Sequence, residues 1–229
     1  MTPTLDQAAD AVLGLGRRVA ASGLVVGAGG NVSVRVGPDE VLITPSGYAL
    51  DEIDRRDLVI LGLDGAVRSG TAKPSSESHM HLAAHRARPD APFALHVHPP
   101  HANLLAATGH RIRLITLDHA YYVRRMALVA YLPSGTAELA EAVASRLAEV
   151  DVVVLTHHGC LLMGPDAATA YERAVNLEAA ATATYRALLL GDTTTVCPPE
   201  YLARIEALEA VPPDPAEPGT AEVIVGGDA

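Results

Sequence analysis

Val32-Ser33-Val34-Arg35-Val36-Gly37-Pro38-Asp39-Glu40-Val41-Leu42-Ile43-Thr44 decides what kind of fold this chain can adopt. Residues 32–36 alternate apolar and polar, the pattern of a half-buried strand, and Gly37-Pro38-Asp39 supplies a turn. The chain returns through Glu40 to Thr44 as a second strand, so the segment reads as a hairpin. Strands joined by a hairpin pair antiparallel, which rules out a purely parallel sheet.

Upstream, Leu5 to Ala21 carries apolar positions at helical spacing, with Thr4 placed to cap the helix and Gly23 to stop it. Downstream come a short strand at Leu58 to Leu61, a helix from Ser75 to Ala87 with Ser75 as its N-cap, and a buried strand from Phe93 to His98. Helices are expected from His101 to Thr108 and from Glu138 to Glu149, then an apolar run, Val152 to Leu155, that reads as a central strand. A long Ala-rich helix follows from Asp166 to Leu190. Helices alternating with strands around an early hairpin predict a mixed sheet covered on both faces. Past Asp192 the prolines at 198, 199, 212, 213, 215 and 218 break the pattern. The expected division is therefore a domain over 1–192 and a proline-rich, partly disordered tail over 193–229. Within that tail a short helix is expected from Glu200 to Ala210 and little fixed structure from Val211 to Ala229.

At 229 residues and 49% hydrophobic, the chain can bury a core without disulfides. A net charge of -10 argues against nucleic acid or an anionic membrane as partner, since either needs a basic face. No apolar run approaches the roughly 20 residues that span a bilayer, and no leader pattern opens the chain, so a cytoplasmic protein is expected. Cys160 and Cys197 are too few for a thiolate zinc site and are expected to be reduced.

The chemistry begins at His96-Val97-His98. Alternate strand positions share a face, so both imidazoles converge, and Thr156-His157-His158-Gly159 offers a third from a distant stretch. Imidazole ligands that leave a position open are the arrangement of a catalytic metal site. Three donor-rich segments accompany them: the glycine run ending in Asn31, the turn Thr44-Pro45-Ser46-Gly47, and Pro74-Ser75-Ser76-Glu77. Hydroxyls, amides and a helix N-terminus can cradle a phosphate when basic charge is scarce. Taken singly, each segment has an ordinary reading as a turn, and Glu77 could simply favour a helix dipole. Together they supply a metal, a carboxylate and a phosphate pocket, which points to chemistry beside a carbonyl.

In order along the chain, Gly29-Gly30-Asn31-Val32-Ser33, Ile43-Thr44-Pro45-Ser46-Gly47, Pro74-Ser75-Ser76-Glu77, His96-Val97-His98 and His157-His158-Gly159 resemble the class II aldolase/adducin family, most closely its fuculose-1-phosphate aldolase branch. The resemblance covers roughly residues 5–190. It implies an α/β fold, a three-layer αβα sandwich around a central mixed, largely antiparallel sheet. It also implies a homotetramer with active sites between subunits. By the same resemblance His96, His98 and His158 are ligands of one Zn2+ per subunit, or of another divalent metal. Glu77 is then the resting fourth ligand and the catalytic acid/base, and Asn31, Ser46, Gly47, Ser75 and Ser76 bind the phosphate of a small sugar phosphate. His157, pointing elsewhere, is not carried over.

The resembling aldolases use a tyrosine to protonate the aldehyde oxygen, and ungapped counting places Thr116 there. Tyr121 and Tyr122 are the candidates to replace it after a register shift. The implied reaction is reversible cleavage of a ketose 1-phosphate, fuculose- or ribulose-1-phosphate-like, to dihydroxyacetone phosphate and a short aldehyde through a metal-stabilised enediolate. Lys73, the one lysine, is not needed for it. Epimerase, dehydratase or decarboxylase chemistry would use the same groups. A non-catalytic adducin-like module has no need of an open metal site.

Overall fold

The computed structural model describes residues 4–210. In chain order the elements are α1 (Leu5–Ala21), β1 (Asn31–Arg35), β2 (Glu40–Ile43), β3 (Val59–Gly62), β4 (Val67–Ser69), α2 (Ser78–Ala87), β5 (Phe93–Val97), α3 (Pro100–Ala107), α4 (Leu117–Val123), β6 (Met126–Val129), α5 (Ala137–Leu147), β7 (Val152–Leu155), β8 (Gly159–Gly164), α6 (Ala167–Leu189) and α7 (Pro199–Ala210). Residues up to Cys197 form one compact unit, and α7 belongs to a second that begins at Pro198. The expectation for Val211 to Ala229 lies outside the described residues.

Eight strands make one sheet in the order β4-β3-β2-β1-β5-β8-β7-β6, antiparallel except where β6 meets β7. The hairpin expected from residues 32–44 is the β1–β2 pair, with Ser33 opposite Ile43 and Arg35 opposite Val41. Strand alternation sends Phe93, Leu95 and Val97 of β5 into a core shared with α1, α3 and α6. Ala94 faces a second core, built with Met80 and Ala84 of α2 and with Leu139, Val143 and Leu147 of α5. The three-layer α/β architecture with a mixed, mostly antiparallel sheet is thus as expected. Among the described residues, no helix is long and apolar enough to cross a membrane.

Three readings need correction. The Ser75 cap is not formed: α2 starts at Ser78, with Glu77 in the N-cap position and no side-chain capping bond. Ser75 is held back by its N–H bond to the Thr44 carbonyl, and a bridge between Pro45 and Pro74 keeps that segment extended. β7 lies second from the sheet edge instead of at the centre, although helices on both sides still bury all four of its residues. Finally, β4, α4, β6 and β8 are elements that the sequence reading did not separate from loops.

Candidate active site

β1 and β5 are neighbours, with Asn31 directly opposite His96. Their same-face residues point toward α2, so Asn31, Ser33 and His96 lie buried on the side of the sheet where Glu77 begins that helix. His98 is the first residue past β5, on the same face as His96. The third imidazole comes from the β7–β8 turn. There His157 adopts a left-handed backbone with φ 62°, the His158 N–H donates to the Leu155 carbonyl at 3.1 Å, and Asn103 of α3 donates to the His158 carbonyl at 3.1 Å. His157 itself faces the Tyr131 ring, away from the cluster.

Glu77, His96, His98 and His158 bring one ligand atom each within 4.8 Å of one another. The ring centroids of His96 lie 4.7 Å from His98 and 4.9 Å from His158. Glu77 is 6% exposed. Its Oε1 lies 2.8 Å from His158 Nε2 and 2.9 Å from Ser134 Oγ. Its Oε2 lies 2.9 Å from His96 Nε2 and 3.1 Å from Asn31 Nδ2. Burial pushes the Glu77 carboxyl up, but the contacts with His158 and His96 and the Asn31 amide outweigh it and hold the group well below the usual carboxylate range. His98 is pushed down to about 4, by burial first and then by its imidazole neighbours.

The donor set fits a divalent cation. His96 Nδ1 is 3.0 Å from the Cys160 carbonyl, so its N–H is committed there. With Nδ1–H committed, His96 presents Nε2 to Glu77 Oε2 and to His98 Nε2, each 2.9 Å away, and that nitrogen can face a carboxylate only with a proton or a cation between them. Lone pairs converge in this way around a positive charge, and an outer N–H held by a carbonyl is the usual support of an imidazole ligand.

Gly159 makes room for this cluster. A Cβ there would stand 2.5 Å from the Val97 carbonyl oxygen, 2.6 Å from His98 Cδ2 and 2.9 Å from His96 Cε1. Gly159→Ala must therefore push both rings aside, and it is expected to weaken metal binding by about 10- to 100-fold. Competition against a calibrated chelator measures this; wild-type affinity in the variant would contradict the packing argument.

The two donor-rich turns come together. The Pro45–Pro74 bridge, the Ser46 N–H bond to the Lys73 carbonyl at 2.9 Å and the Ser75 N–H bond to the Thr44 carbonyl at 3.2 Å pair the two segments antiparallel, with Ser46 across from Lys73 and Ser75 across from Thr44. Gly47 has φ 86°, a left-handed turn position. The Ser75 hydroxyl accepts from the Glu77 N–H at 3.2 Å, which ties this segment to the carboxylate. Tyr121 and Tyr122 are not brought in. They stand edge to face on α4, ring centroids 5.0 Å apart, and among the described residues neither has a ring or hydrogen-bond contact with the cluster. Thr116, the position where counting placed a tyrosine, caps α4 by accepting from the His119 N–H at 3.3 Å.

Two contributors went unread in the sequence. Ser134 stands in Pro133-Ser134-Gly135, the same tripeptide as Pro45-Ser46-Gly47, and that repetition was the available signal. His81 lies one helical turn from His85 on α2, and both are fully buried against Ser33. Burial, with His96 nearby, drives His81 down to about 3 from 6.5, while Glu77 opposes the shift. The stabilisation that depends on neutral His81 is therefore complete above pH 6.5 and is lost as pH falls toward 3. Between pH 7 and 5 it should weaken by about 2 kcal/mol. Denaturant unfolding of wild type and His81→Gln at both pH values reads this directly; an equal pH dependence in the two would contradict it.

Residues 10–185 match the class II aldolase and adducin N-terminal domain family. The chain is 36% identical over 166 residues to an L-fuculose phosphate aldolase of Methanocaldococcus jannaschii, covering 72% of this chain and 89% of that one. It is 31% identical over 189 residues to a 5-deoxy-D-ribulose 1-phosphate aldolase of Bacillus thuringiensis, covering 82% and 89%. A solved L-fuculose 1-phosphate aldolase superposes with a TM-score of 0.82 at 26% identity, over 91% of this chain and 98% of that one. With the fold, the ordered motifs and the gathered imidazoles in accord, the chain belongs to the class II aldolase and adducin N-terminal domain family.

Proposed function

We propose that this protein is a zinc-dependent aldolase that reversibly cleaves a ketose 1-phosphate to dihydroxyacetone phosphate and a short aldehyde. It would act as a cytoplasmic homotetramer with active sites between subunits, residues 1–192 carrying the catalysis and 193–229 forming a tail. The observation that carries the reading is the placement of Glu77. Its carboxylate stands among three imidazoles on one side, while Asn31 and Ser134 hold it on the other.

His96, His98 and His158 would hold the cation, with Glu77 as fourth ligand at rest. When bound, the cation supplies Lewis-acid stabilisation of the negative charge that develops as the carbon–carbon bond breaks. Ser46, Gly47, Ser75, Ser76 and the second amide hydrogen of Asn31 orient the phosphate by neutral donors, which suits a chain of charge -10. Glu77 carries the proton to and from the hydroxymethyl carbon, the task for which its buried, hydrogen-bonded carboxylate is placed. Tyr121 or Tyr122, presented on α4 with Tyr121 46% exposed, would reach the aldehyde oxygen of a neighbouring subunit's site and protonate it.

The experiment is incubation with fuculose-, ribulose- and 5-deoxyribulose-type 1-phosphates, with separate assays for dihydroxyacetone phosphate, epimer, water loss and carbon dioxide. Release of dihydroxyacetone phosphate is expected. Product confined to any of the other three channels would replace the aldolase reading with epimerase, dehydratase or decarboxylase chemistry at the same site.

A further inference from the structure

Behind Glu77 the polar contacts continue into the interior as a single file. Asn31 Nδ2 donates to Glu77 Oε2 at 3.1 Å, and His81 Nε2 meets Asn31 Oδ1. Ser33 Oγ lies 2.6 Å from His81 Nδ1 and 2.7 Å from His85 Nε2. Ser33, His81 and His85 are all 0% exposed, so water cannot substitute for any of these bonds.

The chemistry of each group fixes the direction of every bond. A carboxylate only accepts, so the Asn31 group facing Glu77 is the NH2 and the group facing His81 is the oxygen. That oxygen also only accepts, so His81 Nε2 carries a hydrogen. A neutral imidazole has one N–H, which leaves His81 Nδ1 as acceptor and makes the Ser33 hydroxyl its donor. With its hydrogen given to His81, Ser33 accepts from His85 Nε2–H. His85 Nδ1 is buried without a partner, as a bare lone pair can be and as an N–H group rarely is. His81 Nε2–H is the donor to Asn31 Oδ1 whether the ring holds one proton or two, so the orientation of the Asn31 amide follows from the contacts themselves.

We propose that His81, backed by Ser33 and His85, is a positioning residue that locks the Asn31 amide so that N–H, not oxygen, faces Glu77. The role rests on the proton-transfer function proposed for Glu77. Without the lock the amide can rotate and set Oδ1 against the carboxylate, repelling the group that must stay ionised and aimed. A purely structural polar cluster is the competing explanation. Yet apolar side chains at 33, 81 and 85 would fill the same layer without mutually dependent buried polar groups, and the file ends on the carboxylate.

Two measurements on the full-length, metal-loaded protein test this. In nitrogen-15 histidine spectra at pH 7, with His81 assigned by its loss in His81→Gln, a protonated Nε2 is expected; the Nδ1–H tautomer, with Nε2 bare, overturns the lock. For exchange of the hydroxymethyl proton of dihydroxyacetone phosphate, His81→Leu should lower kcat by about 10- to 100-fold with metal content and KM little changed. His81→Gln, whose amide can still donate to Asn31, should recover most of the loss. Equal loss in the Leu and Gln variants overturns the proposal. Ser33→Ala, a smaller change, should lower kcat in the same direction, and an unaltered rate there also overturns it. Should Glu77→Gln itself leave exchange intact, the role of Glu77 fails, and the spectra still decide the tautomer.

Discussion

Glu77→Gln protein is expected to lose exchange of the hydroxymethyl proton of dihydroxyacetone phosphate by about 10²- to 10⁴-fold while keeping its metal. The amide is nearly isosteric and the three imidazoles remain, so the ion stays. What disappears is the base. The introduced side chain would also meet a mismatch, since Asn31 Nδ2 and Ser134 Oγ both donate to the native carboxylate and an amide offers only one acceptor end. The resulting loss of stability should be about 1 to 3 kcal/mol, too small to unfold the domain. Exchange followed by deuterium incorporation, with metal counted in the same sample, separates the two effects. Full exchange activity in the variant would assign the base elsewhere.

Removing the metal should have the second large effect. With its Nδ1–H on the Cys160 carbonyl, His96 sets Nε2 2.9 Å from Glu77 Oε2, acceptor against acceptor unless a cation or an extra proton lies between them, and His98 Nε2 is 2.9 Å from the same nitrogen. A strong chelator is therefore expected to abolish turnover, and zinc to restore it. Because only the folded chain assembles residues 77, 96, 98 and 158, metal at 1,000 times its Kd stabilises by about 4 kcal/mol. In a domain of this size that is about 8–16 °C in Tm. Unchanged activity and melting in demonstrably metal-free protein would remove the metal from the account.

Much of this was legible in the residues because the deciding signals are local. Alternation over 32–36 marked β1, the Thr4 cap and the Gly23 stop framed α1, and the i, i+2 spacing of His96 and His98 set two imidazoles on one face. The missed elements carry weak local signals. α4 has seven residues and a capping box with His119 where Glu or Gln is usual, and β8 is an apolar run bounded by Gly159 and Gly164. Ser75 looked like a cap because Ser before a helix usually is one; contacts to Thr44, far away in sequence, settled its conformation instead. The site followed the same division. The residues that could hold a metal declare themselves by type, whereas Ser134 and His81 act across 57 and 50 residues of chain, and no spacing rule anticipates which polar groups will meet.

Anomalous diffraction from crystals of protein purified without added metal, recorded on both sides of the zinc absorption edge, tests the central claim most directly. A single peak bounded by His96, His98, His158 and Glu77 is the predicted result. A crystal with His158 turned away from the His96 and His98 pair and no scatterer between them would contradict it.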